Sequence, residues 1–249
     1  MKAKCSFVRS IGRSKIVSGL FYICFVLFSS TALFAHNLWV VGDAKKNGDG
    51  SVHLYFEHHV GPGDGGFIGP ILKNGKTWLN IPDSSARLIE LNEITEDSLK
   101  YLGGSTGKIK PPFSIDHKSL YGIYHGRLDF FYGRYIQVTQ MKELSEFAES
   151  PHLPFQIVPE WKQGKLSLRV KLFSNPYPRA KVYLLSPDGT EKEFIANSKG
   201  ELVIPGKIAG TYHFASYAFE HDAAGVFNTD AFKGIMYGST LTLQLPKQQ

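Results

Sequence analysis

The feature that most constrains the fold of this chain is a two-residue alternation of apolar and polar side chains. Segment 165–172 places Leu or Val at every second position, and segment 51–58 repeats the pattern with Val, Leu and Phe. This period puts all the apolar side chains of an extended strand on one face. Segments rich in β-branched and aromatic residues predict further strands over 128–138, 180–185, 211–219 and 239–245.

Clusters of turn-forming residues separate the predicted strands. They contain Gly, Pro, Asn and Asp and lie at 187–189, 197–200 and 205–206. Short strands with such spacing predict an all-β protein built from antiparallel β-sandwich domains. Helical patterns are confined to 95–102 and 141–149, so we expect few and short helices.

The N-terminal segment has the composition of a secretory signal peptide. Residues 1–15 carry five basic and no acidic side chains, and residues 16–35 are almost wholly apolar. Cleavage after Ala35 makes His36 the first residue of the mature protein, whereas cleavage after Ala32 leaves three residues before it. We therefore expect residues 1–35 to be a signal peptide and the protein to be exported, to the periplasm or as a secreted protein.

Removal of this segment changes what the composition implies. The chain has 28 basic and 22 acidic residues; five of the basic ones lie in residues 1–35, which leaves 23 against 22. A nearly neutral mature chain does not predict a nucleic-acid partner. The two cysteines, Cys5 and Cys24, also lie in this segment, so the mature protein has neither a disulfide nor a thiolate ligand.

A domain boundary is predicted where two prolines fall within residues 150–154. Residues 36–150 are less regular and are interpreted as an N-terminal β-rich domain with a glycine-rich loop at 61–66. Residues 151–249 show more regular strand and turn spacing and are interpreted as a C-terminal β-sandwich domain. The 214 residues after Ala35 suffice for one large or two small domains.

Several short motifs, in this order along the chain, resemble a known family of exported proteins. They are AHNLWVV at 35–41, LYFE at 54–57, GPGD at 61–64, LPFQIVPE at 153–160, GKLSL at 164–168, AGTY at 209–212 and STLTL at 239–243. The family is that of the NikM-like periplasmic components of nickel uptake.

The resemblance implies an exported β-rich protein whose C-terminal domain is like transthyretin or a carboxypeptidase regulatory domain. It also implies a role in divalent metal handling, with an inner-membrane metal transporter or another envelope component as partner. The chain departs from the family pattern at Met236, where relatives carry a histidine before the tyrosine that precedes the last strand.

Histidines are the main candidate metal ligands, since no cysteine follows residue 35. An N-terminal His36 would offer an α-amine and an imidazole, which together chelate copper or nickel. A second imidazole, from His58, His59 or His125, would complete a histidine brace. His221 lies between two acidic residues after a predicted strand and is a further candidate.

The densest group of potential ligands lies at the end of the strand predicted over 51–58. It comprises His53, Glu57, His58, His59 and Asp64. His53 and His59 are six residues apart, roughly 20 Å on an extended strand, so they cannot share one ion unless the strand bends. The predicted metal-site residues are His36, Glu57, His58, His59, His125 and His221.

These patterns favour an exported, non-enzymatic protein that binds a divalent transition metal, nickel or copper, and serves its uptake or handling. The alternative is a non-catalytic envelope module, a structural or ligand-binding β-sandwich; a copper oxygenase is a third reading. Two enzyme-like motifs, at 61–66 and 103–107, match a dinucleotide fingerprint and a nucleophile elbow. We expect both to be loops without catalytic residues. The first follows a predicted strand, but residues 67–70 should break the helix that would have to begin there, and no βαβ unit follows. The second is followed too soon by Pro111 and Pro112 for the helix that it requires.

Overall fold

Strands dominate the secondary structure, as the alternation predicts. The computed structural model describes residues 36–45, 48–147, 149–206 and 208–246, so the predicted signal segment lies outside the described residues. In chain order the elements are β1 (Asn37–Asp43), β2 (Gly50–Glu57), α1 (Ile68–Asn74), β3 (Gly75–Asn80), β4 (Arg87–Ile89), β5 (Asn92–Glu96), β6 (Leu99–Gly107), β7 (Phe113–Tyr124), β8 (Arg127–Gln137), a 3-10 helix (Met141–Phe147), β9 (Phe155–Lys162), β10 (Lys165–Leu172), β11 (Asn175–Pro176), β12 (Lys181–Leu185), β13 (Glu191–Ile195), β14 (Glu201–Ile204), β15 (Gly210–Phe227) and β16 (Asp230–Leu245).

The strands form three sheets. The largest has eight strands in the order β13-β12-β15-β16-β8-β7-β3-β4, and a four-stranded sheet has the order β1-β2-β6-β5. In the third sheet, β10 pairs with β9 and also with β14 and β11. The all-β sandwich class predicted from the sequence is confirmed.

The eight-stranded sheet contributes to two hydrophobic cores, one on each face. In β8, Tyr132 and Ile136 belong to a core shared with β9 and β10, whereas Phe131 and Tyr135 belong to a core shared with β1 and β2. Neighbouring residues of a strand point to opposite faces. The centre of this sheet is therefore covered on both sides.

One parallel pairing crosses the predicted domain boundary near residue 150. β16 pairs with β8 in parallel, from Ile235 opposite Leu128 to Gln244 opposite Gln137. Strands from both sides of the boundary thus share one sheet, and the described residues after Ala35 form one compact unit. Independent folding of 151–249 stays a prediction; a fragment of those residues would lack β8 and the core side chains of Tyr132, Ile136 and Leu144.

β1 lies directly against the central strands, and this contact positions His36. A Cβ at Gly133 of β8 would collide with Val40, so glycine permits the close approach. Thr240 of β16 donates a hydrogen bond from Oγ1 to the carbonyl oxygen of Leu38. The Tyr217 hydroxyl donates to Asn37 Oδ1 at 2.5 Å, which fixes the start of β1 beside His36.

Three local expectations from the sequence were wrong. Residues 95–102 form parts of β5 and β6, joined through Asp97 and Ser98 with φ of 47° and 71°, rather than a helix. Residues 103–107 lie within β6 rather than in a loop. Residues 67–70 were expected to break a helix, yet α1 begins at Ile68, soon after the loop 61–66. Pro70 is compatible with it because it lies in the first turn, where proline is tolerated.

Other local expectations were confirmed. The 3-10 helix falls within the helical segment expected at 141–149, and 61–66 is a loop. The strand pairings of β2 are antiparallel, with β1 and β6, so no dinucleotide-binding unit forms there. Among the helices of the described chain, none is both long and apolar enough to cross a membrane.

β15 and β16 form a long hairpin that extends beyond its neighbours in the sheet. β12 pairs only with residues 213–216 of β15, so no described strand borders the outer edge of residues 217–227. The pairing with β16 shifts between Glu220 and Ala224, which marks a bulge. Val226 in this distal part is 70% exposed.

A buried polar network links β7 and β8 to the segment before β9. Arg134 Nε lies 3.0 Å from Asp116 Oδ1, and both side chains are almost fully buried. Asp116 Oδ2 accepts hydrogen bonds from Ser150 Oγ at 2.6 Å and Asn80 Nδ2 at 3.0 Å. Gln156 Oε1 accepts from the Ser150 N–H at 2.8 Å. The network therefore joins the two predicted domains.

We expect Asp116→Ala to lower the free energy of unfolding by about 3–5 kcal/mol, because it leaves the Arg134 guanidinium buried without its counter-charge. Urea unfolding followed by tryptophan fluorescence measures the change. The double variant Asp116→Leu/Arg134→Met should recover much of the loss, since no charge then remains buried. Glu193→Ala, which breaks the exposed pair with Lys181, is the control and should change little; an equal effect of both alanine variants would contradict the prediction.

Candidate metal centre

The register of β1 and β2 brings His36 to the end of β2. Asn37 is opposite Glu57 in this antiparallel pair, so the next opposing positions are His36 and His58. The imidazole centroids of His36 and His58 are 4.3 Å apart and tilted by 43°. His36 Nε2 lies 3.9 Å from Glu57 Oε2, and the two side chains are 25% and 15% exposed. His36 thus has one imidazole and one carboxylate beside it in a partly sheltered position.

Two aromatic rings contact the His36 imidazole. The Phe56 ring stacks at 5.6 Å between centroids, and the Phe67 ring lies at 4.7 Å. Phe56 points inward because it continues the apolar face of β2, and Phe67 immediately precedes α1. These two ring contacts were not predicted from the sequence, although the alternation already placed Phe56 on the buried face.

The loop after β2 lies against Glu57. Lys100 N–H donates to the Gly63 carbonyl oxygen at 2.7 Å, which pins the loop to β6. A Cβ at Gly63 would overlap the Glu57 carboxylate, so any other residue there would require the Glu57 side chain to move. Asp64 Oδ1 then accepts the N–H of Gly66 at 2.8 Å, in a turn typical of aspartate.

The electrostatics of the site favour a neutral His36. Burial lowers the pKa of His36 below 6.5, and the nearby His58 lowers it further, while Glu57 and Asp64 act in the opposite direction. A neutral imidazole is the form that binds metal ions. His36 is therefore available as a ligand at neutral pH.

The other predicted site residues make their described contacts with other groups. His59 lies beside Gly61 in the loop. His125 occupies the turn between β7 and β8 with a φ of 49° and a ring contact to Tyr124 at 4.3 Å. His221 stacks on Phe219 at 5.8 Å near the bulge of the long hairpin. No ring contact or ion pair in the described chain joins His59, His125 or His221 to His36.

Within the described ranges, no three or more His, Cys, Asp or Glu side chains are grouped so that they could hold a metal ion. The contacts of His36 are pairwise, one with His58 and one with Glu57. The α-amine predicted to chelate a metal arises only if the chain is cleaved before His36. The residues thus supply suitable donor atoms, while a shared coordination point requires their side chains to rotate.

The remaining histidines have packing roles. His117 is fully buried and its Nδ1 lies 2.8 Å from Thr77 Oγ1. His152 stacks on Trp78 at 4.2 Å, and His213 contacts Trp39 edge-on at 5.7 Å. His53 pairs through Nδ1 with the Tyr55 hydroxyl at 3.2 Å on the other face of β2 from Phe56.

In comparisons with known proteins, the sequence matches no family model and no curated protein.

Two substitutions should move the pKa of His36 in opposite directions. Glu57→Gln removes a charge that stabilises the imidazolium, so the pKa falls further. His58→Gln removes a cation that opposes protonation, so the pKa rises. NMR titration of the histidine ring protons measures both changes. Glu90→Gln, at an exposed glutamate outside the site, should have no effect; shifts of the same sign in both site variants would show that the neighbours do not act through charge.

His117 should make the stability of the protein depend on pH. Burial lowers its pKa from 6.5 to about 3, so between these values the unfolded chain binds a proton that the folded protein does not. The contribution of His117 to the free energy of unfolding is fully present above about pH 6.5. It falls by up to about 1.4 kcal/mol per pH unit as the pH drops toward 3. Chemical unfolding across this range should show a shallower slope for His117→Asn than for the wild type.

The exposed His221 provides the control for that slope. His221→Asn should leave the pH dependence of unfolding unchanged, because the side chain of His221 is exposed. His213, whose pKa burial lowers to about 4, should contribute a smaller part of the same dependence. A His117→Asn variant with the full wild-type slope would show that His117 accepts a proton in the folded state.

Proposed function

We propose that the protein is an exported protein that binds a divalent transition-metal ion, nickel or copper, and serves its uptake or handling. The observation that carries this proposal is the proximity of His36 to His58, at 4.3 Å between ring centroids, and to Glu57 at 3.9 Å. His36 precedes β1, and Glu57 and His58 lie at the end of β2. The antiparallel register of the two strands brings these side chains together. The resemblance to NikM-like nickel-uptake components points to the same ion class.

The chemistry of the donor atoms suits these ions. Imidazole nitrogen binds copper and nickel, and a carboxylate adds negative charge. An α-amine has a pKa near 7.7–8.0, so it loses its proton to a metal at neutral pH at small cost. Cleavage before His36 would therefore add one nitrogen ligand to a residue that already faces His58 and Glu57. The Phe56 and Phe67 rings contact the same imidazole.

A ligand-binding or structural envelope module is the second candidate. The long hairpin favours it, because Phe219 and Val226 are 44% and 70% exposed near an edge without a strand neighbour in the described chain. Such a module would bind its partner through this hairpin and would have no need of the histidine pair. Metal titration separates the two functions.

We expect the exported protein to begin at His36 and to bind one Ni²⁺ or Cu²⁺ ion. Intact-mass measurement establishes the N-terminus, and isothermal titration calorimetry measures the affinity. A form that retains Ala35 should bind roughly tenfold more weakly or worse, because its amine is locked in a peptide bond. His58→Ala should weaken binding to a similar degree.

His221→Ala is the matched control, since it removes an exposed histidine whose ring stacks on Phe219. Its affinity should equal that of the wild type. Equal affinity of the forms with and without Ala35 would exclude the amine, and binding lost in His221→Ala alone would move the site to the hairpin. A mature protein that binds neither ion would favour the envelope module.

A further inference from the structure

An open cleft of about 340 Å³ lies between the eight-stranded sheet and β14, where β12 and β14 end and β13 and β15 begin. Its apolar lining includes Leu184, Ile204 and Ile208, which are at most 5% exposed and belong to one hydrophobic core. The ring of Phe56 beside His36 belongs to the other core. The cleft is therefore separate from the proposed metal site.

A lysine lines this cleft at a position where the strand pattern calls for an apolar residue. The antiparallel register of β12 and β13 places Lys192 directly opposite Leu184, and Phe194 opposite Val182. Residues directly opposite each other lie on the same face of the sheet, and these neighbours contribute to the core. Lys192 thus lies on the core-facing side of β13, and it is the only basic residue among the described residues that line the cleft.

The Lys192 ammonium has no fixed counter-charge. None of the ion pairs between described side chains includes it. Asp188 also lines the cleft, but its Oδ1 accepts the N–H of Thr190 at 3.0 Å, so this carboxylate is held by its own turn. Ser186 and Tyr212 add hydroxyl groups to the lining. The cleft thus combines an apolar surface with one cation and two hydroxyls.

We propose that this cleft binds a small carboxylic acid with an apolar body. The carboxylate would accept hydrogen bonds from Lys192, and the apolar body would lie against Leu184, Ile204 and Ile208. Such a charge-assisted hydrogen bond is stronger than a neutral one, and binding sites for small molecules pair a mostly apolar lining with a few polar groups in this way. The volume is at the lower end of the range of about 300–1,000 Å³ for such sites, which favours a short acid. This inference does not depend on the proposed metal-binding function.

Octanoate is the probe, and the full mature protein is titrated with it while the isoleucine methyl signals are followed by NMR. Signals of Ile204 and Ile208 should shift, whereas those of Ile71 and Ile115, which are buried in the other core, should not. Hexanoate should bind about tenfold more weakly, because it buries two fewer methylene groups. Octylamine, which has the same chain length and the opposite charge, should bind more weakly than octanoate.

The variant Lys192→Met keeps the aliphatic part of the side chain and removes the charge. It should weaken octanoate binding by roughly fivefold or more, whereas Lys192→Arg should retain binding. Lys199→Met is the matched control, because Lys199 is an exposed lysine in the turn before β14, and its affinity should equal that of the wild type. Size-exclusion chromatography establishes that each variant has the same oligomeric state as the wild type.

Each contrary result overturns the inference at a definite step. Octanoate that shifts neither Ile204 nor Ile208 in the wild type would overturn the site itself and leave Lys192 as an inward-pointing charge that protects the edge strand β13 from pairing with other chains. Octylamine bound more tightly than octanoate would overturn the choice of an acid. Unchanged octanoate affinity in Lys192→Met would overturn the role of Lys192.

Discussion

The parallel pairing of β8 with β16 is the constraint on which the rest of the structure depends. The two strands are separated along the chain by the whole segment from the 3-10 helix to β15, so their pairing is a contact of very long range. Because both strands are central, each is buried on two faces and supports both hydrophobic cores. Loss of this pairing would remove the common layer against which the two smaller sheets pack.

The proposed metal site depends on the pairing of β8 with β16 indirectly, through β1. β1 lies across β8 and β16, and glycine at position 133 sets how closely it approaches. β1 in turn fixes the register that places His36 opposite His58. A shift of β1 relative to β2 would change this register and separate the imidazoles, so the geometry of the proposed site depends on packing in the core.

Sequence patterns predicted what local periodicity encodes. β2, β10 and residues 239–245 of β16 alternate clearly, but the parallel pairing of β16 with β8 was not predicted, because the choice of strand partner leaves no local pattern in the sequence. The β5–β6 hairpin was missed because Thr95 resembles the residue that caps a helix N-terminus, whereas Asp97 and Ser98 form the turn with positive φ. At the site, the cluster after β2 was visible in the sequence. The contact of His36 with His58 was not, since strand register is a property of the folded pair.

The distal part of the β15–β16 hairpin has a consequence for association between copies of the protein. Its outer edge, over residues 217–227, has no strand neighbour in the described chain, and such edges invite pairing with another chain. The bulge between Glu220 and Ala224 interrupts the regular row of backbone donors and acceptors. Two copies of this edge aligned antiparallel about Asp222 would bring like carboxylates together. The bulge and the like charges therefore disfavour edge-to-edge pairing between copies, although the edge of the strand stays exposed.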